Sequence, residues 1–362
     1  QTTVPGSGTE GTVSAYVNGE FDVSNTHASQ LSATQDSNSM IWLATTQFPG
    51  TKGHGKFKEF LYFDAELTAT DNMQIQYYLG QKWGITDMDV DGDGAVDSSD
   101  VYPFDPTKQI FLPTDIAELE LWMDASDHGS ISYGSTEFVE TWTDKSNYNR
   151  IATANAGIER ISNEMQIRWN DGGGYDYFDL TSYDFEAYQV YAVMKRIDIF
   201  QKFGGGLLIT NTTPYPVYFA QYSANGSFDN GDAVYQYNGN NFDVFQNGVA
   251  KTPDDKWEGN GFRYNYQLSN SDQRFVLKID PQDPTNYSNY SIGNKTGTRG
   301  NYNLSELIVL SRELTSVEQQ RMESYLAGKW NISGGSLSPQ IQDTDGDGYA
   351  DSSDAFPNDN TK

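Results

Sequence analysis

The chain has 362 residues, a formal net charge of −27 and a pI of about 4.2. Such acidity excludes nucleic acid and anionic membrane surfaces as natural partners, because both are polyanions. The 24 tyrosines and 34 glycines favour twisted antiparallel sheets with long polar loops. The chain contains no cysteine, whereas extracellular eukaryotic proteins usually carry disulfides and cytosolic proteins usually carry thiols.

Residues 1–86 form a pattern of short strands followed by one helix. Apolar and β-branched residues predict strands at 12–17, 40–45 and 58–63, with a turn at Asn18-Gly19. The helix that follows begins at a capping box made by Thr68 and Asp71. Its apolar stripe at helical spacing predicts a core-facing side, and consists of Ile75, Leu79 and Trp83.

The next stretch, residues 89–100, reads DVDGDGAVDSSD and crowds five aspartates together. Two unit charges about 5 Å apart repel by about 0.8 kcal/mol in water and by roughly four times that near a protein surface. A folded loop of this kind therefore needs a cation, and Gly94 stands where a calcium loop turns sharply. Hard oxygen ligands without His or Cys favour Ca²⁺ over zinc or copper; the alternative is a solvated acidic linker. The predicted ligands are the carboxylates of Asp89, Asp91, Asp93, Asp97 and Asp100 and the carbonyl of Ala95.

The same spacing recurs near the C-terminus, where residues 343–354 read DTDGDGYADSSD. Gly348 takes the turn position of this second loop. Two occurrences at full spacing make chance matching a poor explanation. The predicted ligands are the carboxylates of Asp343, Asp345, Asp347, Asp351 and Asp354 and the carbonyl of Tyr349.

Between the two loops the chain is a series of short strands separated by turn signals such as Asn225-Gly226 and Asn247-Gly248. A capping box at Thr315 and Glu318 then opens a helix, whose stripe consists of Met322, Leu326 and Trp330. The length of this region fits one sandwich of two antiparallel sheets. The clearest predicted strands are 189–194, 206–209, 216–222, 234–237, 241–245, 274–279 and 306–310.

Two strand–helix segments repeat one another. Residues 57–85 read FKEFLYFDAELTATDNMQIQYYLGQKWGI, and residues 304–332 read LSELIVLSRELTSVEQQRMESYLAGKWNI. Leu67 matches Leu314 and Trp83 matches Trp330, with the same offset, since 314−67 and 330−83 both equal 247. The acidic loops are offset by 343−89 = 254. A unit of about 250 residues is therefore repeated, and the chain holds about one and a half of them.

Both acidic loops end in an aromatic residue, a proline and an aspartate, with Tyr102 and Phe356 as the aromatics. The whole pattern resembles the thrombospondin type 3 repeat, in which a cysteine usually stands at the aromatic position. The resemblance implies calcium-wrapped connectors at 87–108 and 341–362, with the aromatic side chain filling the small core that a disulfide would otherwise hold. It also adds outer ligands, namely Asp87, Asp105 and Asp359.

The strand–helix ending, the stretch LELWMDASDHGSI at 119–131 and the stretch FVETWTDKSNYNRIATA at 138–154 resemble laminin G-like domains of the concanavalin A-like superfamily. The resemblance implies an all-β fold of jelly-roll β-sandwich units with short C-terminal helices, linked by calcium-binding loops. One unit is complete at 109–332, and residues 1–86 hold only a closing portion. A neighbouring copy or a longer parent chain would then supply the missing strands and create a head-to-tail fibre.

No catalytic residue is predicted. Glu118 and Glu120 have the alternation of paired carboxylates in a glucanase strand, but no further carboxylate follows at the required spacing. Asp144, Asn147 and Asn149 are candidates for a rim calcium or ligand site, with a plain polar loop as the alternative.

These features predict a non-enzymatic, extracellular surface, adhesion or fibre-forming segment of a bacterial protein, with a glycan or a surface protein as ligand. The alternative is a carbohydrate-binding module or a polysaccharide-active enzyme. No apolar run of 18 residues occurs, so insertion into a membrane is not expected.

Overall fold

The structure is a computed structural model whose described residues fall into two compact units, within Gln1–Ile110 and within Phe111–Ile341. The residues that it describes are 2–3, 11–17, 20–27, 58–63, 67–98, 100–135, 137–155, 157–170, 174–196, 205–208, 217–220, 232–235, 242–254, 265–268, 273–281, 286–293 and 302–337. The predicted strand at 40–45, the turns at Asn18-Gly19 and Asn225-Gly226 and the whole second acidic loop lie outside these residues.

The described part of the chain is built of antiparallel strands and two α-helices. The first unit contains β1 (Thr2–Thr3), β2 (Gly11–Val17), β3 (Glu20–His27) and α1 (Ala69–Trp83). The second contains β4 (Leu119–Asp124), β5 (Ile131–Tyr133), β6 (Val139–Thr143), β7 (Ile151–Ala154), β8 (Glu159–Ile161), β9 (Glu164–Ile167), β10 (Trp169–Asn170), β11 (Gly174–Tyr175), β12 (Tyr177–Glu186), β13 (Gln189–Arg196), β14 (Gly205–Leu208), β15 (Val217–Ala220), β16 (Asp232–Tyr235), β17 (Phe242–Gln246), β18 (Val249–Ala250), β19 (Pro253–Asp254), β20 (Asn265–Leu268), β21 (Phe275–Pro281), β22 (Asn286–Gly293), β23 (Tyr302–Leu310) and α2 (Ser316–Trp330). The predicted all-β class with a closing helix is confirmed.

Two antiparallel sheets enclose the core of the second unit. The long sheet has the order β18-β17-β21-β13-β23-β9-β8, with β4 also paired to β23, and the short sheet has the order β22-β12-β7-β6-β5. Their facing side chains are fully buried in one cluster, for example Met123 and Ala192 from the long sheet and Trp142 and Phe178 from the short sheet. A third sheet, β14-β15-β16-β20-β19, adds Leu207 from β14 to the same cluster.

The predicted turn at Asn247-Gly248 is confirmed. Both residues have positive φ, 50° and 74°, and they join β17 to β18 as the tight turn that an Asn-Gly pair favours. The amide side chain of Asn247 accepts a hydrogen bond from the backbone N–H of Val276, which ties the turn to β21.

A bulge in β23 decides which side chains of this strand enter the core. Glu306 pairs with Val193 and Leu304 pairs with Met194, so Ser305 is an extra residue. Tyr302 and Leu304 face the core before the bulge, and Leu307 and Val309 face it afterwards. Without the extra residue, strand alternation would point Glu306 into the apolar core. The bulge turns it to the opposite face of the sheet, where α2 lies.

Beneath α2, the buried carboxylate of Glu306 collects four donors. Its Oε1 accepts hydrogen bonds from the Trp122 indole at 2.7 Å and the Tyr325 hydroxyl at 2.9 Å. Its Oε2 accepts one from the Trp330 indole at 2.5 Å and lies 3.0 Å from Nζ of Lys329. Burial raises the pKa of Glu306, and the Lys329 ammonium opposes that shift. We call these five residues, from β4, β23 and α2, the Glu306 cluster.

Asp124 extends the Glu306 cluster on β4. Its Oδ2 lies 2.8 Å from Nζ of Lys329 and 2.9 Å from Nζ of Lys145. Burial alone would raise the pKa of Asp124, but these ammonium groups and the Ser126 hydroxyl lower it to about 2. Glu306 and Asp124 therefore both have counter-charges supplied by the protein.

The first unit departs from prediction in two places. Residues 12–17 do form a strand, since β2 pairs antiparallel with β3, but residues 58–63 are not in a strand. The sequence pattern supplies the side chains of a strand, whereas a strand also requires neighbours for its backbone, and no described strand pairs with this segment.

The capping box of α1 is confirmed, because Thr68 accepts from the backbone N–H of Asp71 and the Asp71 carboxylate accepts from that of Thr68. The predicted core stripe of this helix, however, is only half-buried. The buried positions are Tyr77 and Gly80, on a different side of the helix. The matching stripe on α2 is fully buried, because the long sheet covers it.

Replacing Glu306 by alanine should leave the two indoles, the Tyr325 hydroxyl and the Lys329 ammonium without their buried acceptor. Loss of one partner of a buried ion pair costs about 3–5 kcal/mol, which corresponds to a fall in melting temperature of roughly 6–20 °C for a unit of this size. Calorimetry of the full chain measures this shift.

The matched control is Glu59→Ala, since Glu59 is the repeat counterpart of Glu306 and is partly exposed. Its loss should cost about 1 kcal/mol. Equal falls in melting temperature for the two variants would show that the burial of Glu306 does not make its loss more costly than the loss of Glu59.

Candidate metal centre

The first acidic loop is packed against α1. Met88 and Val90 are buried with Tyr77, and Phe104 packs on this group with its ring centroid 5.0 Å from that of Tyr77. We call Tyr77, Met88 and Val90, together with the Phe104 ring that packs on them, the connector core. A Cβ added to Gly80 would lie 3.2 Å from the Met88 side chain, so the glycine helps the loop to approach the helix closely.

The resemblance implied that Tyr102 fills the small core of the connector, whereas Phe104 is the aromatic residue of this segment that packs on Tyr77, Met88 and Val90. Tyr102 is half-buried, with the Lys108 ammonium 5.1 Å from its ring centroid, and Phe104 packs in its place. The Asp100 carboxylate accepts a hydrogen bond from the Tyr102 backbone N–H at 2.7 Å, which turns the chain at this point. Pro103 follows and is buried, and the turn brings the next aromatic residue to the helix.

Inside the loop, aspartate side chains hold the backbone in shape. Asp89 accepts hydrogen bonds from the N–H groups of Gly92 at 2.8 Å and Gly94 at 3.0 Å. Asp91 accepts from the N–H of Asp93 at 3.2 Å. Gly94 has φ of 95°, a conformation that favours glycine, at the position where the spacing predicts the sharp turn.

Three carboxylate groups of the loop also lie close enough together to bind one cation. Asp89, Asp91 and Asp93 each offer an oxygen, and these oxygens lie within 4.8 Å of one another. One oxygen each of Asp91, Asp93 and Asp100 is buried and accepts no hydrogen bond. Buried acceptors without donors are costly, and this cost is removed when a hard cation binds them. The residues present therefore fit calcium.

The electrostatics of the loop favour the same conclusion. Burial, followed by repulsion from neighbouring carboxylates, raises the pKa of Asp91, Asp97 and Asp100 to about 6. Backbone hydrogen bonds oppose the shift without cancelling it. None of the five loop aspartates forms an ion pair with a lysine or arginine of the described residues. Their negative charge thus has no counter-charge from this part of the protein.

The other predicted ligands have different surroundings. Asp97 is buried, and its Oδ1 accepts a hydrogen bond from the Val90 N–H at 2.9 Å, so it closes the loop on itself. Ala95 is half-buried, and its N–H donates to Asp93 at 2.8 Å. Asp105, an expected outer ligand, accepts from the N–H and the hydroxyl of Thr107. Asp87 is exposed. The predicted ligands that lie outside the described residues are Asp343, Asp345, Asp347, Tyr349, Asp351, Asp354 and Asp359.

Gln109 is a contributor that the spacing did not indicate. Its side-chain amide donates a hydrogen bond to the backbone carbonyl of Asp93 at 2.8 Å, and its backbone carbonyl accepts one from the N–H of Val101. It lies one position beyond the predicted end of the connector and sixteen residues from Asp93, a separation with no local periodicity. Only the folded loop shows that it braces the centre.

The candidate rim residues serve the fold of the second unit. Asp144 is buried and accepts hydrogen bonds from the backbone N–H groups of Trp122 and Ser146, both at 2.8 Å. Asn147 and Asn149 are exposed, and Asn149 has φ of 50° in the turn that follows. Asp144 therefore shapes a polar loop.

The two carboxylates considered for catalysis are each paired with an arginine. Glu120 lies 3.0 Å from Arg150, whose guanidinium also donates to the Glu120 carbonyl. Glu118 lies 2.9 Å from Nε of Arg312. These ion pairs tie β4 to the loop before β7 and to the turn before α2.

No protein-family model and no curated protein sequence matches the chain. Among solved structures, Trypanosoma rangeli sialidase in complex with sialic acid is similar at 15% identity with a TM-score of 0.29, over 61% of this chain. The matched region spans 35% of the sialidase chain. Similarity this low carries no inference about activity, and the resemblances to laminin G-like domains and thrombospondin type 3 repeats remain predictions.

Titration of the full chain with Ca²⁺ by calorimetry should detect binding that Asp91→Ala weakens at least tenfold at one class of site, since loss of even a supporting ligand costs about 10–100-fold. Combining Asp91→Ala with Asp345→Ala should weaken both classes. Asp105→Asn is the matched control and should leave the affinity unchanged, because its carboxylate is bonded to Thr107. Wild-type protein that takes up no calcium would contradict the metal assignment.

Proposed function

We propose that this chain is a non-enzymatic, extracellular segment of a bacterial surface or adhesion protein, in which calcium-bound connectors stiffen the joins between laminin G-like sandwich units. The observation that carries the proposal is the set of buried loop oxygens that accept no hydrogen bond and have no described counter-charge. A cation that binds them would hold Asp91, Asp93 and Asp100 together in one rigid loop.

The packing of the first connector supports a role as a stiff spacer. A solvated linker would leave its apolar residues in water, whereas Met88 and Val90 are buried against Tyr77 and Phe104. Calcium would therefore add stiffness to a segment that already has a defined position on α1.

The chain also leaves the second unit at a defined point. After α2, Gly335 lies against the Asn247-Gly248 turn, where an added Cβ would stand 2.1 Å from the Asn247 carbonyl oxygen. The N–H of Ser336 donates to that same oxygen at 2.9 Å. The segment that leads toward the second connector is thus bonded to β17–β18, which favours transmission of orientation along a repeat array.

The ion pairs of the carboxylates in β4 and just before it support the non-enzymatic part of the proposal. Retaining and inverting glycosidases need an acid and a base that face substrate, and Glu118 and Glu120 are each neutralised by arginine. Asp124 is held by two lysines. A carbohydrate-binding or polysaccharide-active protein remains the competing class.

An extracellular location follows from the proposed metal. Cytosolic calcium is too scarce to fill loops of this kind, whereas extracellular modules bind Ca²⁺ with dissociation constants of about 10⁻⁴–10⁻³ M. Neither of the helices among the described residues is long and apolar enough to cross a membrane.

Removal of calcium with a chelator should loosen the first connector and expose residues 89–105 to protease, while cleavage within the second unit stays slow. Mass spectrometry of the fragments locates the cuts. Asp91→Ala should be cut there even in calcium, and Asp105→Asn should behave as wild type. A cleavage pattern that the chelator leaves unchanged would contradict the spacer role.

The same protein should release no sugar from β-glucans. Turnover that Glu118→Gln or Glu120→Gln abolishes would replace the structural function by an enzymatic one, whatever the calcium result.

A further inference from the structure

Residues 58–63 are the repeat counterpart of the last six residues of β23. The offset that aligns Trp83 with Trp330 is 330−83 = 247, and it places residues 58–63 on residues 305–310. In β23 the last four of these are fully buried, at 0% exposure. Their counterparts are exposed large apolar residues, namely Phe60 at 50%, Leu61 at 40%, Tyr62 at 60% and Phe63 at 43%.

The two segments nevertheless contact their helices in the same way. Glu59 accepts a hydrogen bond from the Trp83 indole at 2.8 Å and lies 3.3 Å from Nζ of Lys82. Lys82 donates in turn to the Tyr78 hydroxyl. The Glu306 cluster has the same set of contacts, made by Glu306, Trp330, Lys329 and Tyr325. Residues 58–63 thus lie in register on α1, as β23 does on α2.

In the second unit residues 306–310 pair with β13 on one side and with β4 on the other, whereas no described strand pairs with residues 58–63. In the second unit β4 pairs with residues 306–310 and brings two side chains to the cluster. Trp122 donates its indole N–H to Glu306, and Asp124 pairs with Lys329. These two residues are separated by one position, so they lie on the same face of the strand.

The corresponding groups of the first unit are more open to water. The side chain of Lys82 is 41% exposed and that of Glu59 is 20% exposed, against 22% for Lys329 and 0% for Glu306. Glu59 can therefore accept a hydrogen bond from an indole N–H, and Lys82 can pair with a carboxylate. These two groups have the same spacing as the groups that β4 contacts in the second unit.

We propose that residues 58–63 and α1 form a docking face for an extended strand of another polypeptide that carries the β4 pattern, with alternating aliphatic residues, a tryptophan and then an aspartate two positions later. Its backbone pairs with residues 59–63, its indole donates to Glu59 and its carboxylate pairs with Lys82. Addition of a strand to an open edge gains affinity from the backbone and specificity from the alternating side chains. The inference rests on the repeat-unit part of the proposed function and specifies the chemistry of the partner.

The test uses the full 362-residue chain in saturating calcium and a synthetic peptide with the sequence of residues 117–127. The expected result is binding that slows amide hydrogen exchange at residues 59–63 by at least about tenfold. A control peptide with phenylalanine for tryptophan and asparagine for aspartate should bind at least about tenfold more weakly, the loss that 1.4 kcal/mol represents. The protein variants Glu59→Gln and Lys82→Met should each weaken binding of the first peptide.

The proposal would be overturned by no binding of the peptide, by equal binding of the control peptide, or by protection confined to β23 of the second unit. Self-association of the chain that the peptide competes away would support the strand chemistry, with a second copy as its source. Self-association that the peptide does not affect would overturn the proposal, because another surface would then cover the face. Calorimetric calcium binding in the same samples separates failure of this inference from failure of the proposed function.

Discussion

The carboxylate of Glu306 lies where water is almost excluded, so the second unit must supply both its hydrogen-bond donors and its counter-charge. Two indoles, a phenol and an ammonium converge on it from β4 and α2. A buried charge is tolerated only when it is paired and hydrogen-bonded. The strand at the start of the unit and the helix at its end are thereby joined through one side chain of β23.

The connector shows the opposite solution to the same electrostatic problem. In the second unit, the buried carboxylates of Asp124 and Glu164 have lysine or arginine partners. The loop aspartates have none among the described residues, and three of them retain a buried oxygen that accepts no hydrogen bond. Under the proposed function, a cation from solution supplies the counter-charge that this loop lacks. Dependence on that cation would allow extracellular calcium to control stiffness between units, which a protein-supplied lysine could not do.

The internal repeat gives the first unit a standard of comparison. The contacts among Glu59, Tyr78, Lys82 and Trp83 match those of the Glu306 cluster, so the sequence similarity extends to side-chain chemistry. What differs is the covering of the strand, since Phe60 to Phe63 are exposed where β23 is buried. Apolar side chains at this density are usually covered in a working protein. The exposed segment is therefore the place where assembly would act.

Local chemistry determined the features that a few neighbouring residues can specify. These are the capping boxes at Thr68 and Thr315, the Asn247-Gly248 turn and the spacing that brings Asp89, Asp91 and Asp93 together. Only the tertiary structure decided the features that depend on distant partners. The bulge at Ser305 exists because β23 must match β13 while turning Glu306 away from the core. Phe104 rather than Tyr102 fills the connector core, because a turn at Asp100 aims the later ring at α1. Residues 58–63 have the composition of a strand. A strand, however, forms only when its backbone is hydrogen-bonded to a neighbouring strand, and a single segment cannot supply that neighbour.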